Sequence, residues 1–195
     1  MDWILERVEQ ETEHRFLNFY TFHYRVDGKP YPYFVASRHA REGLFALNEQ
    51  TRPDGVLILA LKQDPEPSVL LISQFRPPLG RKVIEVPAGL CDEGDADVVA
   101  SAKREAHEET GVQLRDVRLL CPPSPTSSGL SDEMVAVVVG TVDSLGKNHR
   151  EQFEDIEARF VPLKDIPALL QDESNFIALN VRLALLYLLA KEGIA

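Results

Sequence analysis

Apolar and polar positions along the chain predict a β-rich front, one helix in the middle, and further strands and helices behind it. Phe16 to Arg25 and Tyr31 to Ser37 are rich in aromatic and β-branched residues on either side of Asp27-Gly28, the pattern of a hairpin. The segment before them, Trp3 to Glu13, shows no clear period. Breakers crowd Asn48 to Gly55. Val56 to Leu61 and Val69 to Arg76 then flank the turn Asp64-Pro65-Glu66-Pro67 and predict two paired, largely buried strands. A shorter apolar run, Lys82 to Val86, stops at Pro87-Ala88-Gly89, where proline removes a donor and glycine widens the accessible backbone angles.

From Asp97 to Thr110 the period becomes helical, opened by acidic and small residues and closed by Gly111. Leu114 to Leu120 and Met134 to Val142 read as strands separated by a loop over Pro122 to Gly129. A polar loop, Lys147 to Asp155, precedes a strand at Ala158 to Val161. Helical patterns at Lys164 to Gln171 and Phe176 to Lys191 follow, the second with Ile177, Val181, Ala184, Leu185 and Leu188 on one stripe. Strands on both sides of a central helix, with a helix at the end, predict a mixed α/β sandwich.

With 195 residues, 44% of them hydrophobic, the chain can bury a real core and forms one domain, or one domain with an N-terminal appendage. Its formal net charge of -10 argues against non-specific binding to nucleic acid, since a polyanion is repelled in the absence of a concentrated basic face. No run approaches the roughly 20 apolar residues that span a bilayer, and the first residues do not resemble a secretory signal, so a cytoplasmic setting is expected. Cys91 and Cys121 lack metal-type spacing and read as two reduced thiols.

The central helix is unusual in its charge. At about 100° per residue, Glu105, Glu108 and Glu109 fall within one sector. Like charges at these spacings each cost roughly 0.2 to 0.5 kcal/mol, and two of them stand near the negative end of the helix dipole. Folding alone gains nothing from this. A hard divalent cation would turn the repulsion into coordination, because magnesium and manganese prefer carboxylate oxygen. The bland alternative is a solvated acidic face, partly neutralised by Lys103 or Arg104. Val99, Ala102 and Ala106 lie on the neighbouring face and predict close packing on a sheet.

Arg104-Glu105-Ala106-His107-Glu108-Glu109-Thr110-Gly111-Val112 matches R-E-U-x-E-E-x-G-U, where U is a bulky apolar residue in most cases. The five fixed residues would arise by chance in such a chain about once in ten thousand. This run resembles the Nudix box, whose full form is G-x5-E-x7-R-E-U-x-E-E-x-G-U and which would begin here at Gly89. Asp95 stands where the box has its first glutamate, and one extra residue separates it from Arg104. Gln74-Phe75-Arg76 and Ile84 to Gly89 are similar to the strands that enter the box in the ADP-ribose pyrophosphatase branch. The resemblance covers about residues 15 to 190, and residues 74 to 112 most firmly.

That resemblance implies an α+β fold, the Nudix α/β/α sandwich with a mixed central sheet. An N-terminal antiparallel β segment, residues 1–50, would serve dimerisation and contacts to the substrate base, with the hydrolase domain at 51–195. It implies Glu105 and Glu109 as principal metal ligands, Glu108 as a further or bridging ligand with a part in catalysis, and the carbonyl of Ala88 as another ligand. Gly89, Arg104 and Gly111 would be structural members of the motif, Arg104 orienting carboxylates by charge-assisted bonds. Arg76 and Glu85 would contact substrate, or Glu85 would pair with Arg76. Glu133 would assist with metal or substrate.

The general base would come from the loop His149 to Glu157, with Glu154 and Glu151 as first and second choices and Glu157 assigned to packing. The implied reaction is hydrolysis of a nucleoside diphosphate sugar, ADP-ribose to AMP and ribose 5-phosphate, by a homodimer using Mg2+ or Mn2+. Other nucleoside diphosphate derivatives and a non-catalytic nucleotide-sensing module are the alternatives. The histidines form no site in this reading, and His107 is expected to be an exposed helical residue. Trp3, Phe19, Tyr20, Phe22, Tyr31 and Tyr33 are candidates for base stacking, for a core or for a dimer interface.

Overall fold

The computed structural model describes residues 1–49, 52–149 and 155–193. The hairpin forms where the sequence places it, as strands β2 (Asn18–Val26) and β3 (Lys29–Ser37). Asp27 and Gly28 both take positive φ, 48° and 80°, the backbone that a tight two-residue turn requires. A strand with no sequence pattern joins them: β1 (Trp3–Gln10) pairs antiparallel with β2, giving the order β1-β2-β3. Only Val8 of β1 is buried, so no alternation marks the strand. Its partners are polar and aromatic instead. Arg25 donates to both carboxylate oxygens of Glu6, at 2.6 and 3.2 Å, and Trp3 meets Tyr24 and Tyr31 edge to face at 5.4 and 5.5 Å.

This three-stranded sheet belongs to a unit made of Met1–Gly55 and Pro122–Ala136. Its core is Val8, Tyr20, Phe22, Val35 and Leu44. The distant segment is held by polar bonds. Ala36 N donates to Leu130 O at 2.9 Å, Tyr33 Oη to Gly129 O at 2.8 Å, and Phe45 N to the carboxylate of Asp132 at 3.1 Å. His39 and Asp54 form an ion pair at 2.7 Å; that bond lowers the carboxyl pKa, against its burial, and raises that of the imidazole. Tyr20 and Phe22 are therefore core residues, whereas Trp3, Phe19 and Tyr31 are exposed.

The second unit, Val56–Cys121 with Val137–Ala195, carries the larger sheet. Among the described residues the strands of this sheet are β4 (Gly55–Lys62), β5 (Ser68–Arg76), β6 (Arg81–Glu85), β7 (Ala88–Leu90), β8 (Val112–Pro125), β9 (Met134–Leu145) and β10 (Ile156–Pro162). They form a mixed sheet in the order β10-β5-β4-β9-β8, with β6 on β5 and β7 on β4. Neighbouring residues of one strand feed opposite cores, as period-2 geometry demands. Ile58, Ala60, Leu70 and Val138 pack with Ala102 and Ala106 of helix α1 (Val98–Thr110). Leu59, Val69, Leu71 and Val139 pack with Ile166 of α2 (Ile166–Gln171) and with Val181, Leu185, Leu188 and Leu189 of α3 (Leu179–Glu192). The result is an α/β/α sandwich of the α+β class.

Several element boundaries differ from the sequence expectation. β8 runs through Pro122–Pro125, where a loop is expected; it is an edge strand, and a proline is tolerated where its missing N–H faces no partner. The last helix starts at Leu179, because Phe176 to Ala178 are extended and bonded to both backbone groups of Ile84. Val98, and not Val99, packs beside Ala102 and Ala106. No helix among the described residues is long and apolar enough to cross a membrane.

Candidate active site

Helix α1 is fixed at both ends. The Asp97 carboxylate accepts from Ala100 N at 2.8 Å as an N-cap, and Gly111 closes the helix in the left-handed conformation, φ 75°. A side chain at Gly111 would also strike the carbonyl of Gly146, whose N–H donates to Gly111 O at 2.7 Å. Ala102 and Ala106 are fully buried, so small side chains bring the helix backbone close to the sheet. The charged residues one step around then stand along its margin.

There they line a cavity of about 470 Å³ with Ala88, Gly89 and Leu90 of β7. Glu109 is buried, 4% exposed, and accepts from Ala88 N at 3.2 Å. Glu105 lies against Gly89, where any Cβ would collide with its carboxyl group. Burial raises the Glu105 carboxyl above its ordinary pKa, with Arg104 opposing the shift. Arg104 is the hub of the cluster. Its Nη1 donates to Glu105 at 2.7 Å and Glu108 at 3.0 Å, and its Nη2 donates to Asp95 at 2.9 Å and Leu90 O at 2.9 Å. Those bonds hold the Asp95 carboxyl at about 2 and raise the guanidinium pKa.

Among the described residues, no three His, Cys, Asp or Glu stand as a ready-made metal cluster. The donors nevertheless suit a hard divalent cation. They are carboxylate oxygens, one of them seated in a cradle that only glycine leaves open, and a cationic group already bridges Glu105 and Glu108.

The other candidates lie elsewhere. Arg76 and Glu85, at the ends of β5 and β6, pair with one another at 2.7 Å. Glu133 belongs to the first unit and accepts from Arg38 at 2.8 Å and Thr126 at 2.7 Å. Glu157 is on the exposed side of β10, paired with Lys82. Glu151 and Glu154 lie outside the described residues.

Two histidines depart from expectation. His149 lines the carboxylate cavity, and His107 is half-buried rather than exposed, its ring centroid 5.5 Å from that of His149. Histidine spacing in the sequence carries no trace of this, because the two meet only when the loop after β9 returns to α1.

Residues 51–179 match the family described as NUDIX domain, about two thirds of the chain. The chain belongs to the NUDIX family. It is 32% identical over 144 residues to the ADP-ribose pyrophosphatase of Bacillus subtilis (strain 168), covering 73% of this chain and 75% of that protein. An ADP-ribose pyrophosphatase of Saccharomyces cerevisiae is 37% identical over 110 residues, which are 53% of this chain and 46% of the yeast protein. Among solved structures, one titled as an ADP compounds hydrolase superposes with a TM-score of 0.75 at 18% identity, over 100% of this chain and 98% of that one, and so shares the fold. As a member with the glutamates of the box in place, this NUDIX protein is a pyrophosphohydrolase.

Proposed function

We propose that this NUDIX pyrophosphohydrolase cleaves the diphosphate of a nucleoside diphosphate sugar, ADP-ribose to AMP and ribose 5-phosphate, with Mg2+ or Mn2+ held by Glu105, Glu108 and Glu109. One observation carries the reading: the three box carboxylates gather on one cavity, and the glycine beside them is shaped around Glu105. The relatives named ADP-ribose pyrophosphatase favour that substrate over other diphosphates. Ala88, through its carbonyl, is a further ligand, while Gly89 and Gly111 keep the helix and its neighbours close. A bound divalent ion neutralises phosphate charge and acidifies the attacking water.

The chain's own residues do the rest. Arg104 fixes the directions of Glu105 and Glu108 through two short bonds, a preorganisation that lowers the cost of gathering like charges. Glu154 or Glu151 takes the proton from water. Arg76 and Glu85 meet the substrate as a pair, and Glu133 assists from the loop on which it sits. The N-terminal unit supplies base contacts and the surface for a homodimer, a role supported by the exposed aromatics Trp3, Tyr31 and Phe34. Cys91 and Cys121 read as two reduced thiols, which fits a cytoplasmic setting.

The test is incubation of the purified chain with ADP-ribose and magnesium, following AMP and ribose 5-phosphate. Equimolar release, lost on chelation and in Glu105→Gln, is the expected result. Binding of ADP-ribose with no product under any divalent ion would overturn it in favour of a nucleotide-sensing module.

A further inference from the structure

The loop that leaves β9 is stitched to the end of α1 by two backbone bonds, Gly146 N to Gly111 O at 2.7 Å and His149 N to Glu108 O at 2.8 Å. The second satisfies a carbonyl in the last turn of the helix, one of those that have no partner within it. His149 is thereby anchored one residue from Glu109 and on the wall of the carboxylate cavity, with an exposed side chain. Its ring lies tilted at 51° to that of His107, at 5.5 Å. His107 is itself wedged: its Nδ1 is buried with no partner among the described residues, and its Cε1 faces the Cα of Gly146 closely enough to contact any Cβ there, at 3.6 Å. A leucine at 107 would pack against the second ring as well and would bury no polar atom there.

The rest of the cavity wall is mostly acceptor. Glu105, Glu108, Glu109 and Asp92 offer oxygen, which suits a cation and repels a phosphate, and Arg104 is consumed by four carboxylates and a carbonyl. Beside the charge that a bound divalent ion would supply, an N–H donor to a phosphate oxygen on this wall would come from a side chain other than Arg104. An imidazole carries an N–H in either charge state.

We propose that His149 is a diphosphate-binding residue, donating its ring N–H to a non-bridging phosphate oxygen, and that His107 is the positioning residue that holds the ring toward the cavity. This rests on the reading of the cavity as the hydrolytic site. The probe is the α,β-methylene analogue of ADP-ribose, which cannot be cleaved, titrated calorimetrically in the presence of magnesium. His149→Ala weakens its binding about three- to tenfold, the worth of one hydrogen bond. His149→Asn or His149→Gln, which place an amide N–H near one or other ring nitrogen, restores most of that loss. His107→Ala weakens binding about two- to fivefold and His107→Phe, which keeps a packing ring, restores it.

Equal affinity in wild type and His149→Ala overturns the proposal, and loss in His107→Ala without rescue by His107→Phe overturns the positioning role. Turnover of ADP-ribose by wild type and by Glu105→Gln is measured alongside. Should the wild type bind the analogue through His149 and yet release no product, the hydrolytic reading alone falls.

Discussion

Helices α1 and α3 lie on opposite faces of one sheet and are held to it by opposite means. α3 inserts Val181, Leu185, Leu188 and Leu189, large side chains that fill the space between helix and sheet. α1 offers Ala102 and Ala106, and approaches closely because it has little to insert. Burial of a leucine is worth roughly 1.5 to 3 kcal/mol and of an alanine far less, so α3 is the stronger anchor. What α1 gains is proximity. Its glutamates come within reach of β7, where Gly89 makes room for one and Ala88 N binds another. One helix stabilises the fold, and the other gives up packing for a charged edge that the fold must then hold in place.

The contrast can be broken most forcefully at Leu185. Leu185→Ala should cost about 2 to 5 kcal/mol in urea unfolding, through lost burial and the cavity left behind, with kcat of the folded fraction unchanged. A loss of kcat at full folding would mean that α3 reaches the site. Glu105→Gln should do the reverse. We expect kcat with magnesium to fall at least about a hundredfold, about 3 kcal/mol of barrier, while the melting temperature holds or rises as a buried charge and two helical repulsions disappear.

Ala106→Leu sharpens the packing half of the argument. Overfilling the α1 interface should cost about 1 to 3 kcal/mol, and it should also raise the magnesium concentration needed for activity, because the glutamates move with the helix. Asp97→Ala removes the N-cap and should destabilise by about 1 kcal/mol without altering metal dependence, as seen by parallel melting and magnesium titration.

The smallest effect lies in acid. Asp95 titrates at about 2 in the folded chain, against an ordinary value of 3.8, because Arg104 hydrogen-bonds its carboxylate. A depressed pKa adds stability that is present above pH 3.8 and is lost as pH falls toward 2. The urea midpoint of Asp95→Asn should therefore fall less than that of wild type between pH 4 and pH 2. Parallel midpoints would show that the pair does not hold the entry to α1.

Much of this architecture is written locally. The caps of α1 are legible because Asp97 and Gly111 act through their own backbone, and the β2–β3 turn is legible because Asp27-Gly28 accepts positive φ. β1 is not, since seven of its eight residues escape full burial and it is held by cross-strand partners such as Arg25 that no period encodes. The prolines of 122–125 signal a loop anywhere except on an edge strand, and only the sheet order makes β8 an edge.

The sequence by itself determined that three carboxylates share one helical edge and that the box surrounds them, since helix geometry converts spacing into direction without help from the rest of the chain. It also determined the continuous apolar runs, Val56 to Leu61 and Val69 to Ile72, that let the central sheet be buried on both faces. Only the tertiary structure decided that Arg76 pairs with Glu85, that Pro122–Ala136 joins the N-terminal unit, and that His149 lines the cavity with its ring against that of His107. Those contacts join segments whose separation along the chain leaves no periodic trace, and their energy is realised only after the sheet has set where each segment ends.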